Sequence, residues 1–220
     1  MTDKNKAIIL AVEAVGLPAI YGSKQHDGLH PMSHEDTIKT LADAGTWLGP
    51  RGRLEEDPRF RQIIPYVIIR QNGKIVTYVR GASGGEARLH GKLSIGLGGH
   101  IDLPDVWFND RATVNMSDTL EGAADRELAE EVDLDSVLRN EIKWVGLLTC
   151  NETEVDRVHI GVVGVLDVVG IGEHGVVHPK EDSQENLVLM SPAELEAESS
   201  RLESWTRLCL PFLAADNESV

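Results

Sequence analysis

Three carboxylates crowd into one short stretch, Glu127, Glu130 and Glu131, at spacings i, i+3 and i+4. On a helix that spacing sends all three side chains out from one face across a single turn. Anions held so close repel one another unless a cation joins them, and carboxylate oxygens suit hard divalent ions such as Mg2+ or Mn2+. The chemistry such a group supports is metal-assisted attack of water, the ion lowering the pKa of water and offsetting charge on a reacting oxygen. Glu127 and Glu131, one turn apart, are the principal metal ligands expected, and Glu130 completes the shell directly or through water. Arg126 precedes the first of them and can hold a carboxylate with its planar fork. The competing reading of a Glu-rich helix is a solvated charged face, so context has to decide.

The helix that must present these acids is expected to start at Ser117-Asp118, whose side-chain oxygens can accept from the free amides of a first turn. Leu120, Ala124 and Leu128 then recur at helical spacing and form a narrow apolar stripe to bury against a sheet. Upstream, Ser94 to Asp102 with Gly98-Gly99 inside it reads as a glycine-rich passage from strand to loop, where missing side chains let backbone oxygens and amides come close to an ion or phosphate.

Gly98-Gly99, Asp118 and the run Arg126-Glu127-Leu128-x-Glu130-Glu131-x-Asp133-Leu134 together resemble the Nudix box of the Nudix hydrolases. The box spans residues 98–134 and departs from the family pattern three times. Asp118 stands for the first Glu, Asp133 for a Gly at the helix end, and residues 103–117 are inserted between glycines and helix. Asp at the last of these positions is tolerable, since it enters left-handed backbone more readily than most residues. A fainter likeness, through Phe60 to Tyr66 and Arg88 to Lys92, is to the MutT-like Nudix proteins known only as predicted phosphoesterases. The resemblance implies an α/β class fold, an α/β/α sandwich around a mixed sheet, with an N-terminal extension over residues 1–58 and the Nudix domain over 59–220. It implies Mg2+ or Mn2+ as cofactor, with the carbonyl of Gly99 or Gly98 joining the glutamates, and Arg126 pairing with Asp118 to anchor the box. It leaves the oligomeric state open, a homodimer being one possibility because many members of the family pair through their sheets.

Composition bounds the rest. A chain of 220 residues suffices for one well-buried domain plus an extension. A formal net charge of -15 opposes any extended nucleic-acid groove, so the partner expected is a small nucleotide met by a locally positive site. The apolar run Ala7 to Val15 is too short and too charged to span a bilayer. Cys150 and Cys209 have no metal-ligand spacing, so buried apolar roles and a reducing cytoplasm are expected.

Along the chain, Lys6 to Val15 is open between strand and helix. His26, His30 and His34 are spaced by four, but Gly28 and Pro31 interrupt the helix a metal site would need. Ser33 should cap a helix to Ala44. Ile63 to Ile69 and Lys74 to Val79 flank Asn72-Gly73 as a hairpin, with Pro65 marking an edge or a bulge. Strands are expected over Ile142 to Thr149, Arg157 to Val169 and Asn186 to Met190, and Ser191-Pro192 should open a final helix running through Trp205 to Leu213.

Several residues stay open between site and surface. The general base is Glu130 or one of Glu152, Glu154, Asp156, Glu181 and Glu185, the alternative for the loop residues being an exposed acidic loop. Arg80, Arg88 and Lys92 either offset substrate phosphate charge or are solvated. Trp107, within Val106-Trp107-Phe108 of the insertion, either packs into the core or stacks on a base or sugar. His100 either joins the site or only satisfies backbone groups. The reading is a catalytic set of Arg126, Glu130 and Glu131 in a pyrophosphohydrolase acting on a nucleoside diphosphate derivative. The rivals are a non-catalytic Nudix domain sensing a nucleotide, and isomerase chemistry using Cys150 beside Glu152.

Overall fold

The structure, a computed structural model, describes residues 4–81, 90–171, 176–180 and 184–217. In chain order it forms β1 (Ile8–Glu13), β2 (Gly28–Pro31), α1 (His34–Asp43), β3 (Thr46–Pro50), α2 (Arg51–Leu54), β4 (Phe60–Gln71) and β5 (Lys74–Arg80). Two short strands, β6 (Leu93–Ser94) and β7 (Gly96–Leu97), lead to α3 (Met116–Glu131). There follow β8 (Val132–Asp133), β9 (Val137–Arg139), β10 (Lys143–Thr149), β11 (His159–Gly170), β12 (His178–Pro179) and β13 (Gln184–Met190), and then α4 (Pro192–Ala197) and α5 (Ser204–Asn217). The class is α/β, as expected, with one large mixed sheet and few helices. Its main path runs β13-β5-β4-β11-β10-β2, while β8 and β12 form a separate two-stranded pair.

Contacts divide the residues into two compact units, each assembled from separate stretches. The first holds Met1–Tyr66, Gly98–Asp125 and Trp144–Val163, and the second Val67–Leu97, Arg126–Lys143 and Gly164–Val220.

In the first unit the run after Lys6 settles as a strand. β1 pairs antiparallel with β3 from Ile8 to Val12 and with β4 from Ala11 to Glu13. Ile9, Leu10, Ala11 and Val12 are all fully buried, which a strand covered on both faces requires and an amphipathic helix would not allow. The stretch expected as an extension thus supplies an interior strand of this unit. Helix α1 is capped where anticipated, the Ser33 hydroxyl accepting from the Asp36 amide at 3.0 Å. β2 pairs with β10.

The second unit contains the expected hairpin. Asn72 (φ 53°) and Gly73 (φ 76°) both take positive φ, the conformation whose twist matches the flanking strands, and Arg70 and Gln71 pair with Ile75 and Lys74. Pro65 sits on an interior strand rather than an edge. It falls between Gln62, where β4 pairs with β1, and Val67, where it pairs with β7, so its missing amide interrupts neither ladder. The final helix divides in two. α4 opens on a capping box between Ser191 and Glu194, and a one-turn 3-10 segment at Ser199–Arg201 separates it from α5.

Candidate active site

Helix α3 begins two residues before the expected start, because Asn115 rather than Ser117 caps it. The Asn115 side-chain oxygen accepts from the Asp118 amide at 3.3 Å, its carbonyl takes the first helical bond from Thr119, and its amide nitrogen donates to the Asp118 carboxylate at 2.6 Å. The stripe is buried as anticipated, Leu120, Ala124 and Leu128 each 0 to 1% exposed, with Ala123 beside them. Burying the two leucines contributes roughly 2 kcal/mol apiece to holding the helix down.

Arg126 Nη1 meets Glu127 Oε1 at 2.8 Å and Glu130 Oε2 at 3.3 Å, so one guanidinium ties together two of the three acids. The expected pair with Asp118 does not form. Eight residues of helix separate the two by about 12 Å, and each takes a nearer partner. Glu127 is the more enclosed acid, its side chain 14% exposed against 54% for Glu130, and Glu131 is half-buried. The helix end is closed by Lys180, whose amide donates to the Glu131 carbonyl at 2.9 Å and whose Nζ donates to the Ala129 carbonyl at 3.2 Å. Asp133 accepts from the Asp135 amide at 2.8 Å and makes the turn that a glycine would otherwise ease.

Gly98 takes φ +150°, and a Cβ built there would lie 1.8 Å from the Pro65 carbonyl oxygen. Only glycine fits, which brings the bend carrying Gly99 against β4. The inserted residues form a tight hairpin seated on the first turns of α3. Phe108 bridges Val114, the Trp107 amide donates to Thr119 Oγ1 at 3.0 Å, and the Trp107 indole lies over Gly122. Val106 packs inward, whereas Trp107 and Phe108 are 60% and 50% exposed, so these two rings are not a core plug.

The cationic candidates have taken protein partners. Arg80 Nε donates to Glu203 Oε2 at 3.1 Å and its guanidinium lies 5.6 Å from the Tyr78 ring centroid. Glu203, which the sequence reading passed over, is 4% exposed and also accepts from Ser94 Oγ at 2.6 Å. Lys92 donates to the Ser200 carbonyl at 3.1 Å. Arg88 and Glu181 lie outside the described residues, as does the side chain of Glu185. Of the loop acids, Glu152 and Glu154 are exposed. Asp156 is buried and accepts from the Thr153 amide and hydroxyl at 3.0 and 2.7 Å, which makes it a turn-former rather than a base. A cavity of about 360 Å3 in the second unit is lined by Val76, Val177, His178, Pro179 and Leu189 among others. Its strand β12 pairs with Val132–Asp133, directly after the acidic turn.

His26, His30 and His34 do not gather. His30 Nε2 pairs with Thr149 Oγ1 at 2.9 Å and His34 Nε2 lies 3.4 Å from Ser117 Oγ. His100 does more than satisfy backbone groups: its Nε2 lies 3.2 Å from Nε2 of His159. Among the described residues, the group of three metal-binding side chains whose donor atoms come within 4.8 Å of one another is Glu55, His100 and His159. Glu127, Glu130 and Glu131 do not form such a group, and two of them meet Arg126. Cys150 and Cys209 are free and fully buried, and burial pushes the Cys150 thiol up to about 12. A thiol held so firmly protonated does not supply the nucleophile or acid that isomerase chemistry would ask of it.

No family model matches the sequence. Protein YmaB of Bacillus subtilis (strain 168) is 36% identical over 165 residues, which cover 74% of this chain and 76% of that protein. Among solved structures, Tm1382, described as a candidate Nudix hydrolase, superposes with a TM-score of 0.68 at 24% identity, covering 94% of this chain and 97% of that one. A MutT protein from Methanosarcina mazei Go1 aligns more loosely, with a TM-score of 0.45 at 18% identity over 72% of this chain and 96% of that one.

Proposed function

This chain belongs to the same family as Protein YmaB and has the Nudix fold, and from that premise we propose that it is a metal-dependent hydrolase that cleaves a phosphoanhydride bond in a nucleoside diphosphate derivative. The observation that carries this reading is the last turn of α3, where Glu127, Glu130 and Glu131 are gathered within five residues and the first two meet a single guanidinium. The donor set is all carboxylate oxygen, which fits Mg2+ or Mn2+ and not a thiophilic ion. Glu127, Glu130 and Glu131 would hold the ion. When bound, it would activate water and offset charge on the phosphoryl oxygens.

The chain's own residues have separable tasks. Glu127 and Glu131 are fixed by a helix whose stripe is buried and whose C-terminal carbonyls are capped by Lys180. Arg126 holds Glu127 and Glu130 in position. Glu130, the most exposed of the three, is the candidate to accept a proton from the attacking water. Arg80, steadied by Glu203, is the candidate to face the substrate's remaining charge. The recess beside β12, in the unit that also holds the three acids, is the candidate place for the non-phosphate moiety of the substrate. The net charge of -15 favours a small nucleotide over a polyanion. Two buried free thiols fit a reducing cytoplasm, and among the described residues no helix is long and apolar enough to cross a membrane. Pairing through sheet edges into a homodimer belongs to the same reading.

The test is turnover of a panel of nucleoside diphosphate derivatives with Mg2+ or Mn2+. Glu131→Gln keeps the shape of the side chain and removes its charge, and it should lower the rate on the order of a hundredfold or more. Full activity in that variant would end the proposal.

A further inference from the structure

Glu55, His100 and His159 come together in the first unit from three distant stretches, the end of α2, the residue after Gly98-Gly99, and the start of β11. Two features suit the trio to a metal. The first is spacing. Two nitrogens each about 2.05 Å from one zinc ion at a tetrahedral angle lie about 3.3 Å apart, and the two Nε2 atoms are 3.2 Å apart. The second is orientation. His159 Nδ1 lies 2.8 Å from the Val155 carbonyl oxygen, which can only accept, so Nδ1 carries the proton and Nε2 presents its lone pair to His100.

Outer partners hold the ligand-bearing groups in place, as metal sites require. The buried Arg61 donates to the His159 carbonyl at 3.2 Å and to Asn151 Oδ1 at 2.8 Å, fixing the strand start that carries the ring. Arg51 Nε donates to Glu55 Oε1 at 3.1 Å, which orients that carboxylate and leaves it a second oxygen to offer. His100 is half-buried and His159 buried, so the donors are sheltered yet reachable.

We propose that Glu55, His100 and His159 form a transition-metal site that takes Zn2+, separate in its ligands from the carboxylates of α3. Two imidazole nitrogens and one carboxylate oxygen select Zn2+ over Mg2+ and leave a fourth position for water or a substrate oxygen. The site does not depend on the hydrolase reading, since it shares no side chain with the acidic turn.

The full-length chain is titrated with Zn2+ by calorimetry in excess Mg2+, and zinc X-ray absorption is recorded on the loaded protein. The expected result is one tight equivalent with two imidazole nitrogens around the metal. Glu127→Gln with Glu131→Gln should leave that equivalent in place, whereas Glu55→Gln should weaken it by about tenfold or more, and adding His100→Gln should remove it. Circular dichroism checks the fold. If the histidine variant does not fold, Glu55→Gln decides alone, because that side chain lies near the surface. No uptake by the folded wild type overturns the proposal. So does uptake indifferent to Glu55→Gln, or uptake lost with the α3 glutamates and kept in the other variants.

Discussion

Gly98 carries no functional group, yet the bend before the candidate site depends on it. A Cβ would lie 1.8 Å from the Pro65 carbonyl carbon's oxygen, a backbone atom that cannot swing aside. Gly98→Ala should therefore cost about 2 to 4 kcal/mol or prevent folding, read as a shift in urea midpoint. A variant as stable as the parent would mean that β4 can move away. His30 makes a pH-dependent prediction. Burial, with His26 nearby, lowers its pKa below the ordinary imidazole value, outweighing the opposite pull of Asp27. In the unfolded chain the ring takes up its proton near pH 6.5, before the folded protein does. The stability His30 contributes is then intact above about pH 6.5 and shrinks as pH falls below it, since the unfolded state binds the extra proton. Urea midpoints at about pH 7.5 and about pH 5.5 should diverge less in His30→Gln than in the parent. Equal divergence would assign the pH dependence to other groups.

At the level of elements, the acidic helix is held at both ends by residues outside it, Asn115 at its start and Lys180 at its finish. Asn115→Ala removes the cap and should cost about 1 kcal/mol, measurable as a lower melting temperature. No change would mean that Ser117 or the Thr119 bond to Trp107 suffices. Features set by neighbours in sequence are legible in the sequence itself. Asn72-Gly73 dictates its hairpin because few residues accept two successive positive φ angles, and Ser33 and Ser191 announce their helices through caps three residues long. The acidic turn was readable for the same reason, since its spacing is a property of one helix. What escaped depends on pairings across long separations. Glu203 meets Arg80 from 123 residues away. His159 faces His100 across 59. Nothing in the local composition of Lys6 to Val15 distinguished strand from helix, because a short apolar run buried on all sides has no period to read.

For the molecule as a whole, an excess of 15 negative charges works against compactness, and salt should relieve it. The unfolding midpoint should rise between low ionic strength and physiological salt, where screening sets in beyond about 8 Å. A midpoint that fell would show that ion pairs such as Arg80 with Glu203 outweigh the general repulsion. The interleaving of the two units has a further consequence, for biosynthesis. The first unit is complete only with Val163, by which time Val67–Leu97 and Arg126–Lys143 of the second have already been made. At cellular translation speeds, roughly ten seconds pass between the emergence of β1 and that of its unit's last strand. Through that interval the ribosome-bound chain carries apolar strands from both units without their full complement of partners, and Ile9 to Val12 are the first for which a chaperone would compete.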